Sequence, residues 1–278
     1  MSGALEGKVA LISGVARGQG RAHALRLAAD GAKIIGFDLC RQIEGVPFTM
    51  GTPADLAETE RLVREAGGEI VVSRADVREP EEVAAALDTG VREFGRVDVV
   101  VANAGTGQPF VKAWEIPDEA FVTVVEINLI GAWRTLKAAI PRMIEQGDGG
   151  SLIVTGSGAS VKGLPNLAGY VASKHGVIGL VRTMARELGP HRIRVNAVLP
   201  GNTNTEMFDN DAMRALMLPD VEQPTEEQFL ARASIGSPLG LPYVEPEDIA
   251  EAAAWLAGPG SRYVTGTFVP VDGGTAIP

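Results

Sequence analysis

The sequence predicts an α/β fold in which a doubly wound parallel sheet carries helices on both faces. Short apolar runs alternate with longer amphipathic stretches along the chain, the pattern of strands joined through crossover helices. Most of the short runs are apolar without interruption, as expected of strands buried on both faces. The longer stretches repeat apolar residues every three or four positions, the period of a helix with one buried face.

Strands are expected at 9–13, 33–38, 70–74, 97–102, 152–155, 194–199 and 268–271. The stretch beginning at Pro80 places Val83, Leu87, Val91 and Phe94 on one helical face, and proline suits the first helical position. Thr52, Pro53 and Asp55 read as an N-cap, a first-turn proline and an acid at the positive helix end. A further helix is expected over Ala168–Leu188, stopped by Gly189-Pro190. The sheet signal runs from residue 9 to residue 271 without a repeat, a low-complexity tract or a linker. One domain over 1–278 is therefore expected.

The chain has 278 residues, 45% of them apolar, enough for a large core without metal or disulfide support. Its single cysteine, Cys40, excludes an intramolecular disulfide and fits a reducing compartment. A net charge of −10 argues against a nucleic-acid partner. Residues 1–8 lack the basic segment and apolar stretch of a signal peptide. No apolar run approaches the roughly 20 residues of a membrane span. A cytoplasmic location without membrane contact is expected.

Two segments interrupt the alternation: 39–54, with Ile43, Val46, Pro47, Phe48 and Met50, and 201–246, rich in Met, Pro, Asn and acidic residues. Long loops in compact domains are often lids. Their scattered large apolar residues argue against disorder.

The run Ser13-Gly14-Val15-Ala16-Arg17-Gly18-Gln19-Gly20 follows the first strand and opens a helix. Glycines there allow a tight turn and let backbone N–H groups approach a pyrophosphate at the positive helix end. Glycines also serve ordinary turns; the strand–loop–helix context gives the pattern its meaning. Asp38 ends the second strand, where a carboxylate accepts hydrogen bonds from ribose hydroxyls and repels a 2′-phosphate. It favours NAD over NADP, although a solvated strand-end aspartate would look the same. Arg17 is the counter-signal, since a guanidinium in this loop suits a 2′-phosphate.

Tyr170 and Lys174 stand at i and i+4, on one helical face. An ammonium near a phenol is expected to lower the phenol's pKa and fit it to take a proton from an alcohol. Ser157, after the fifth strand, is placed to hydrogen-bond the same substrate oxygen, or simply to end a strand between two glycines. Asn128, a poor helix former within an apolar helical stretch, reads either as a satisfied core amide or as an anchor for a water leading to Lys174.

Taken together these residues resemble the short-chain dehydrogenase/reductase family over essentially the whole chain. The matching marks are the glycine loop at 14–20, Asp76-Val77, Asn103-Ala104-Gly105, Asn128, Ser157, Tyr170-Val171-Ala172-Ser173-Lys174, Pro200-Gly201 and Val271-Asp272-Gly273-Gly274. The resemblance implies a Rossmann-type domain with a seven-stranded sheet, a homotetramer, and a catalytic tetrad of Asn128, Ser157, Tyr170 and Lys174. It also implies that Tyr170 and Lys174 touch the cofactor, Lys174 through the nicotinamide ribose. Gly14, Arg17, Gly18, Gln19, Gly20, Asp38, Leu39, Ala104, Gly105, Pro200 and Gly201 would also contact the cofactor. Asp76 and Val77 would lie by the adenine, Asn103 by the adenine-side ribose, and Thr203 and Thr205 near the carboxamide and phosphate. Ser13, Ala102 and Thr203 depart from the family's commonest pattern without touching the tetrad.

Within the family, the run from Ala16 to His23, Asp38-Leu39-Cys40 and the two long segments are similar to the carveol-dehydrogenase-like, mycofactocin-associated group. That resemblance implies NAD held too tightly to exchange during turnover, with a separate redox carrier reoxidising it. The expected lid is formed by Ile43, Val46, Phe48 and Met50; the alternative is a loop packed on neighbouring helices. Met207, Phe208, Met213, Leu216, Met217 and Leu218 suggest an apolar cover over a hydrophobic, terpenoid- or steroid-like secondary alcohol. Core packing or an oligomer contact would explain the same residues. An NADP-dependent ketone reductase is the nearest rival, and a non-catalytic dinucleotide-binding regulator the next. His23, His175 and His191 show no metal-ligand spacing, so no metal is expected.

Overall fold

The protein is described here by a computed structural model over residues 3–277. Seven strands form one parallel sheet: β1 (Val9–Ser13), β2 (Lys33–Asp38), β3 (Ile70–Arg74), β4 (Val99–Ala102), β5 (Gly150–Thr155), β6 (Ile193–Pro200) and β7 (Phe268–Val271). Their order is β3-β2-β1-β4-β5-β6-β7, so the winding reverses between β1 and β4. In a sheet of this Rossmann type the crevice for a ligand opens beyond the carboxyl ends of the strands at that reversal.

The expected strands are all present, with shifted ends. The fourth starts at Val99, because the N–H and carbonyl of Val97 pair instead with the Gln146 side chain at 3.0 and 2.8 Å. The fifth and sixth begin earlier than expected, at Gly150 and Ile193.

Side chains along each strand divide between two cores. In β1, Val9 and Leu11 join one apolar cluster and Ala10 and Ile12 the other, which is the two-residue period of a strand covered on both faces. On the first face lie α3 (Pro80–Phe94), α5 (Ala132–Gln146) and α6 (Ala168–Leu188); on the second, α1 (Gly18–Ala29), α2 (Pro53–Glu65) and α9 (Pro246–Ala257). Thr52 caps α2 in a reciprocal capping box with Asp55, and Pro80 opens α3, both as expected. Helix α4 (Asp118–Val125) runs into a π-helical turn, Glu126–Gly131, which carries Asn128.

The segment 201–246 is more regular than its composition suggests. It holds α7 (Asp211–Met217), capped by Asn210, and α8 (Glu226–Ser234), capped by Thr225. Helices this short carry too little periodicity to register in a sequence window. They have their own small core, in which the rings of Phe208 and Phe229 lie 5.0 Å apart. No helix among the described residues is long and apolar enough to cross a membrane.

Candidate active site

A cavity of about 670 Å³ opens at the winding reversal, and all the expected cofactor contacts line it. These are Gly14, Arg17, Gly18, Gln19, Gly20, Asp38, Leu39, Asp76, Val77, Asn103, Ala104, Gly105, Tyr170, Lys174, Pro200, Gly201, Thr203 and Thr205.

The glycine loop is built for close approach. Gly14 sits at φ 70°, and a Cβ there would meet the Ala104 Cα at 2.8 Å. A Cβ on Gly20 would lie 1.9 Å from the Gly14 carbonyl oxygen. Helix α1 begins without a side-chain cap and without an acid in its first turn, leaving N–H groups available for an anion. The buried Oε1 of Gln19 has no hydrogen-bond partner, while its Nε2 reaches Thr203 Oγ1 at 3.5 Å. An uncapped positive helix end and an orphaned acceptor beside it fit a dinucleotide's phosphates and hydroxyls.

At the end of β2 the two Asp38 carboxylate oxygens accept from the N–H groups of Ala16 and Cys40, both at 3.0 Å. The negative charge is thereby fixed at the edge of the cavity, at the end of β2. Arg17, the counter-signal, is engaged elsewhere: its guanidinium donates to the Thr49 carbonyl and pairs with Glu206 at 3.3 Å. Asp76 lines the cavity and is also held within the protein. Burial alone would raise its pKa, but hydrogen bonds from Arg78 and the charge of Arg41 outweigh it and hold the carboxyl below the usual range. With Arg78 at 2.6 Å and Arg41 at 3.3 Å, its carboxylate serves as an anchor for the chain around it. Asn103 is likewise engaged within the protein, donating to the carbonyls of Ser13 and Gly14 and accepting from Thr155 at 3.2 Å. It ties the glycine loop to the ends of β4 and β5.

Three of the tetrad residues, Ser157, Tyr170 and Lys174, line the cavity. Asn128 stands behind its wall, 1% exposed, with Oδ1 accepting from the Thr106 N–H at 2.8 Å and Nδ2 donating to the Thr106 carbonyl at 2.9 Å. A Cβ on Gly105 would sit 3.4 Å from Asn128 Oδ1 and 3.9 Å from Lys174 Nζ, so the two flank the same small gap. The π turn presents Asn128 inward; such turns recur at functional sites. Lys174 donates from Nζ to the Thr155 carbonyl at 2.8 Å, and burial lowers its pKa to about 8.

The expectation for Tyr170 is corrected. Burial raises its pKa, and the hydrogen bond with Ser157 only partly opposes this. Lys174 Nζ lies 5.7 Å from the Tyr170 ring centroid, and it is the loss of water around the buried phenol that sets the direction.

Two segments flank the cavity. In the 39–54 segment, Ile43, Phe48 and Met50 line it and Val46 does not. The Phe48 ring rests on Gly107, where a Cβ would come within 3.1 Å of its Cε1, so this loop reaches the chain beyond β4. Gln42, which the sequence gave no reason to single out, braces the loop from within: its amide reaches the carbonyls of Ile43, Val46 and Phe48 and accepts from Met50 at 3.0 Å. From the other side Met207, Phe208, Met213, Leu216 and Met217 line the cavity, Phe208, Met213 and Met217 sharing the small core as well, whereas Leu218 packs on that core without lining the cavity.

A family model described as enoyl-(acyl carrier protein) reductase matches residues 14–276. A (−)-trans-carveol dehydrogenase from Rhodococcus erythropolis is 40% identical over 273 residues, covering 98% of this chain and 99% of that protein. A carveol dehydrogenase from Mycobacterium avium in complex with NAD superposes with a TM-score of 0.98 at 46% identity, covering 99% of this chain and 100% of the other. A short-chain dehydrogenase from Mycobacterium paratuberculosis bound to NAD gives 0.90 at 43% identity, covering 99% of each chain.

Proposed function

The chain belongs to the short-chain dehydrogenase/reductase family and is an NAD-dependent oxidoreductase, and from that premise we propose that it interconverts a hydrophobic secondary alcohol and its ketone on an NAD that stays bound between turnovers. The observation that carries this reading is the shared cavity: Tyr170 and Ser157 open into the same space as the glycine loop, beneath a methionine-rich wall and the braced 39–54 loop.

Each protein group has a definite task. Ser157 and Tyr170 meet the substrate oxygen; Ser157 orients it and Tyr170 exchanges the proton. In alcohol oxidation Tyr170, as phenolate, accepts the hydroxyl proton; in ketone reduction it returns it. Lys174, fixed on Thr155, holds a positive charge near the phenol and is placed to reach a ribose. Asn128 braces the wall through Thr106. NAD, when bound, would supply the hydride acceptor. Glycine-loop N–H groups would hold its phosphates, and Asp38 would select a free ribose over a phosphorylated one.

Met207, Met213 and Met217 adapt to an irregular apolar substrate, and the carveol dehydrogenases named above favour a terpenoid-like alcohol. Slow NAD exchange is supported by the loop's closure: Phe48 sits against Gly107, and Arg17 and Arg41 tie the same loop to Glu206 and Asp76. A cofactor kept in place needs a separate redox carrier to take the hydride's electrons after each oxidation. The exposed apolar side chains of Phe121, Val122, Trp133 and Trp255 supply faces for a homotetramer. The whole chain acts as one catalytic domain.

The test is to denature extensively dialysed protein and identify the nucleotide released by chromatography. Near-stoichiometric NAD or NADH, with turnover of carveol only when an artificial electron acceptor is added, is the expected outcome. Protein free of nucleotide that turns over added NAD readily would sink the retention reading and leave an exchanging dehydrogenase.

A further inference from the structure

The helix that carries Tyr170 lacks a cap of its own. Leu167 precedes α6 and offers no side-chain acceptor. The helical ladder starts with Val171, whose N–H donates to the Leu167 carbonyl at 2.8 Å, so the N–H of Tyr170 has no partner within the helix. That N–H donates instead to Oε1 of Gln108 at 2.7 Å, from a residue 62 positions earlier. Gln108 is 1% exposed, and its Nε2 reaches the Pro109 carbonyl at 3.4 Å. Gly169 makes the approach possible, since a Cβ there would stand 2.8 Å from Gln108 Oε1. Two residues before Gln108, the backbone of Thr106 is gripped by Asn128 at 2.8 and 2.9 Å. One short segment beyond β4 therefore joins the π turn holding Asn128 to the first turn of the helix holding Tyr170.

We propose that Gln108 is a positioning residue for the reaction, capping α6 from outside and fixing the Tyr170 backbone so that its phenol meets Ser157. The proposal rests on the reading of Tyr170 as the proton-exchanging group. A buried N–H left without an acceptor draws the backbone towards another partner. A displacement of about 1 Å at a reacting group costs on the order of 100-fold in rate. The amide touches neither substrate nor cofactor in this role; it acts through Tyr170.

Three variants of the full chain test it: Gln108→Asn, which keeps the amide but falls one methylene short; Gln108→Leu, which keeps the size; and Gln108→Glu, which keeps the acceptor. The first readout needs no substrate. With ring-labelled tyrosine the protein gives signals from three tyrosines, and Tyr170 is identified by its loss in Tyr170→Phe. Gln108→Asn and Gln108→Leu should displace the Tyr170 signal and leave those of Tyr243 and Tyr263 in place, and Gln108→Glu should restore it. The second readout is carveol oxidation with an artificial electron acceptor. In Gln108→Asn kcat should fall on the order of 10-fold with KM nearly unchanged, and Gln108→Glu should recover most of it. If one of the two disruptive variants is too unstable to purify, the other carries the comparison. An unmoved Tyr170 signal in a folded Gln108→Asn or Gln108→Leu protein, or failure of folded Gln108→Glu to restore it, overturns the proposal. Full activity in Tyr170→Phe would instead remove the reading on which it rests.

Discussion

Lys174 and Thr155 are joined by a hydrogen bond of 2.8 Å from the buried ammonium to the carbonyl at the end of β5. The bond fixes the charge by direct contact with the sheet, at the strand end from which Ser157 also springs. Because burial brings the Lys174 pKa down to about 8, its charge is present below that pH and lost above it. Tyr170 moves the other way, its burial extending the range over which the phenol keeps its proton.

These two directions predict different pH profiles for the two reactions. Ketone reduction needs a protonated phenol beside an ammonium, and its kcat should decline as pH rises through about 8. Alcohol oxidation needs the phenolate beside the same ammonium, so its rise with pH should be cut short near 8 as Lys174 loses its charge. Lys174→Met should lower both rates by roughly 100-fold or more and abolish the decline of reduction near pH 8. Ser157→Ala should shift the rise of oxidation to higher pH, since it removes the hydrogen bond that opposes the effect of burial on Tyr170. Steady-state rates measured across pH in both directions decide this.

Asp38 has two tasks that one substitution can separate. On the proposed reading its charge disfavours a 2′-phosphate, and its two oxygens each hold a backbone N–H, of Ala16 and of Cys40. Asp38→Asn keeps the shape, removes the charge and leaves one of those N–H groups without an acceptor. Reconstituted protein should lose about 10-fold or more of its preference for NAD over NADP. Its stability should fall by about 1–3 kcal/mol, the cost of the unpaired N–H. Competitive loading with the two nucleotides, together with urea melts, checks both. An unchanged preference would show that Asp38 does not select the ribose.

Much of this site was legible because its marks are local. The strand runs, the capping pattern at Thr52, the glycine loop and the Tyr170/Lys174 spacing each lie within a few consecutive residues. What escaped the sequence depends on tertiary contact. Gln108 reaches Tyr170 across 62 positions, and nothing in the run Thr106-Gly107-Gln108 announces it. In the 39–54 loop the apolar residues looked equivalent, since an irregular segment has no period to assign them sides; Phe48 faces the cavity and Val46 does not. The direction of the Tyr170 shift is hidden from the sequence for a related reason. The i,i+4 spacing reveals a neighbouring charge, but not how much water burial removes from both groups.

Arg17 links the two segments that flank the cavity. It donates to Thr49 in the 39–54 loop and pairs with Glu206 in the segment beyond β6. The Glu206 partner is half exposed, at 53%, so the ion pair alone is worth little. The carbonyl contact and the joining of two elements matter more. Arg17→Ala should speed NAD dissociation by about 10-fold, one decade corresponding to about 1.4 kcal/mol of lost restraint. Glu206→Gln should change it by less than about twofold. Release of fluorescent NADH after dilution measures both, and equal rates in wild type and Arg17→Ala would remove Arg17 from the closure.

His23, on α1, is 1% exposed, and neither of its ring nitrogens has a hydrogen-bond partner among the described residues. Burial lowers its pKa from 6.5 to about 4, so it is neutral in the folded protein throughout the neutral range. Above about pH 6.5 both folded and unfolded states carry it uncharged, and it has no effect on the pH dependence of stability. Between 6.5 and about 4 the unfolded chain takes up a proton that the folded chain refuses, so stability falls as pH falls. The full effect is on the order of 3 kcal/mol, from about 1.4 kcal/mol per pKa unit. His23→Leu, close in size and free of titration, should flatten this part of the acid limb while changing stability little at pH 7.5. Urea unfolding of both proteins at pH 7.5 and pH 5 gives the comparison. Equal losses on acidification would mean that the acid limb belongs to carboxylates such as Asp98 and Asp76, whose pKa values are depressed in the folded protein by ion pairing. Their contribution is present above the ordinary carboxylate range and disappears as pH falls below it, a window that opens lower than that of His23.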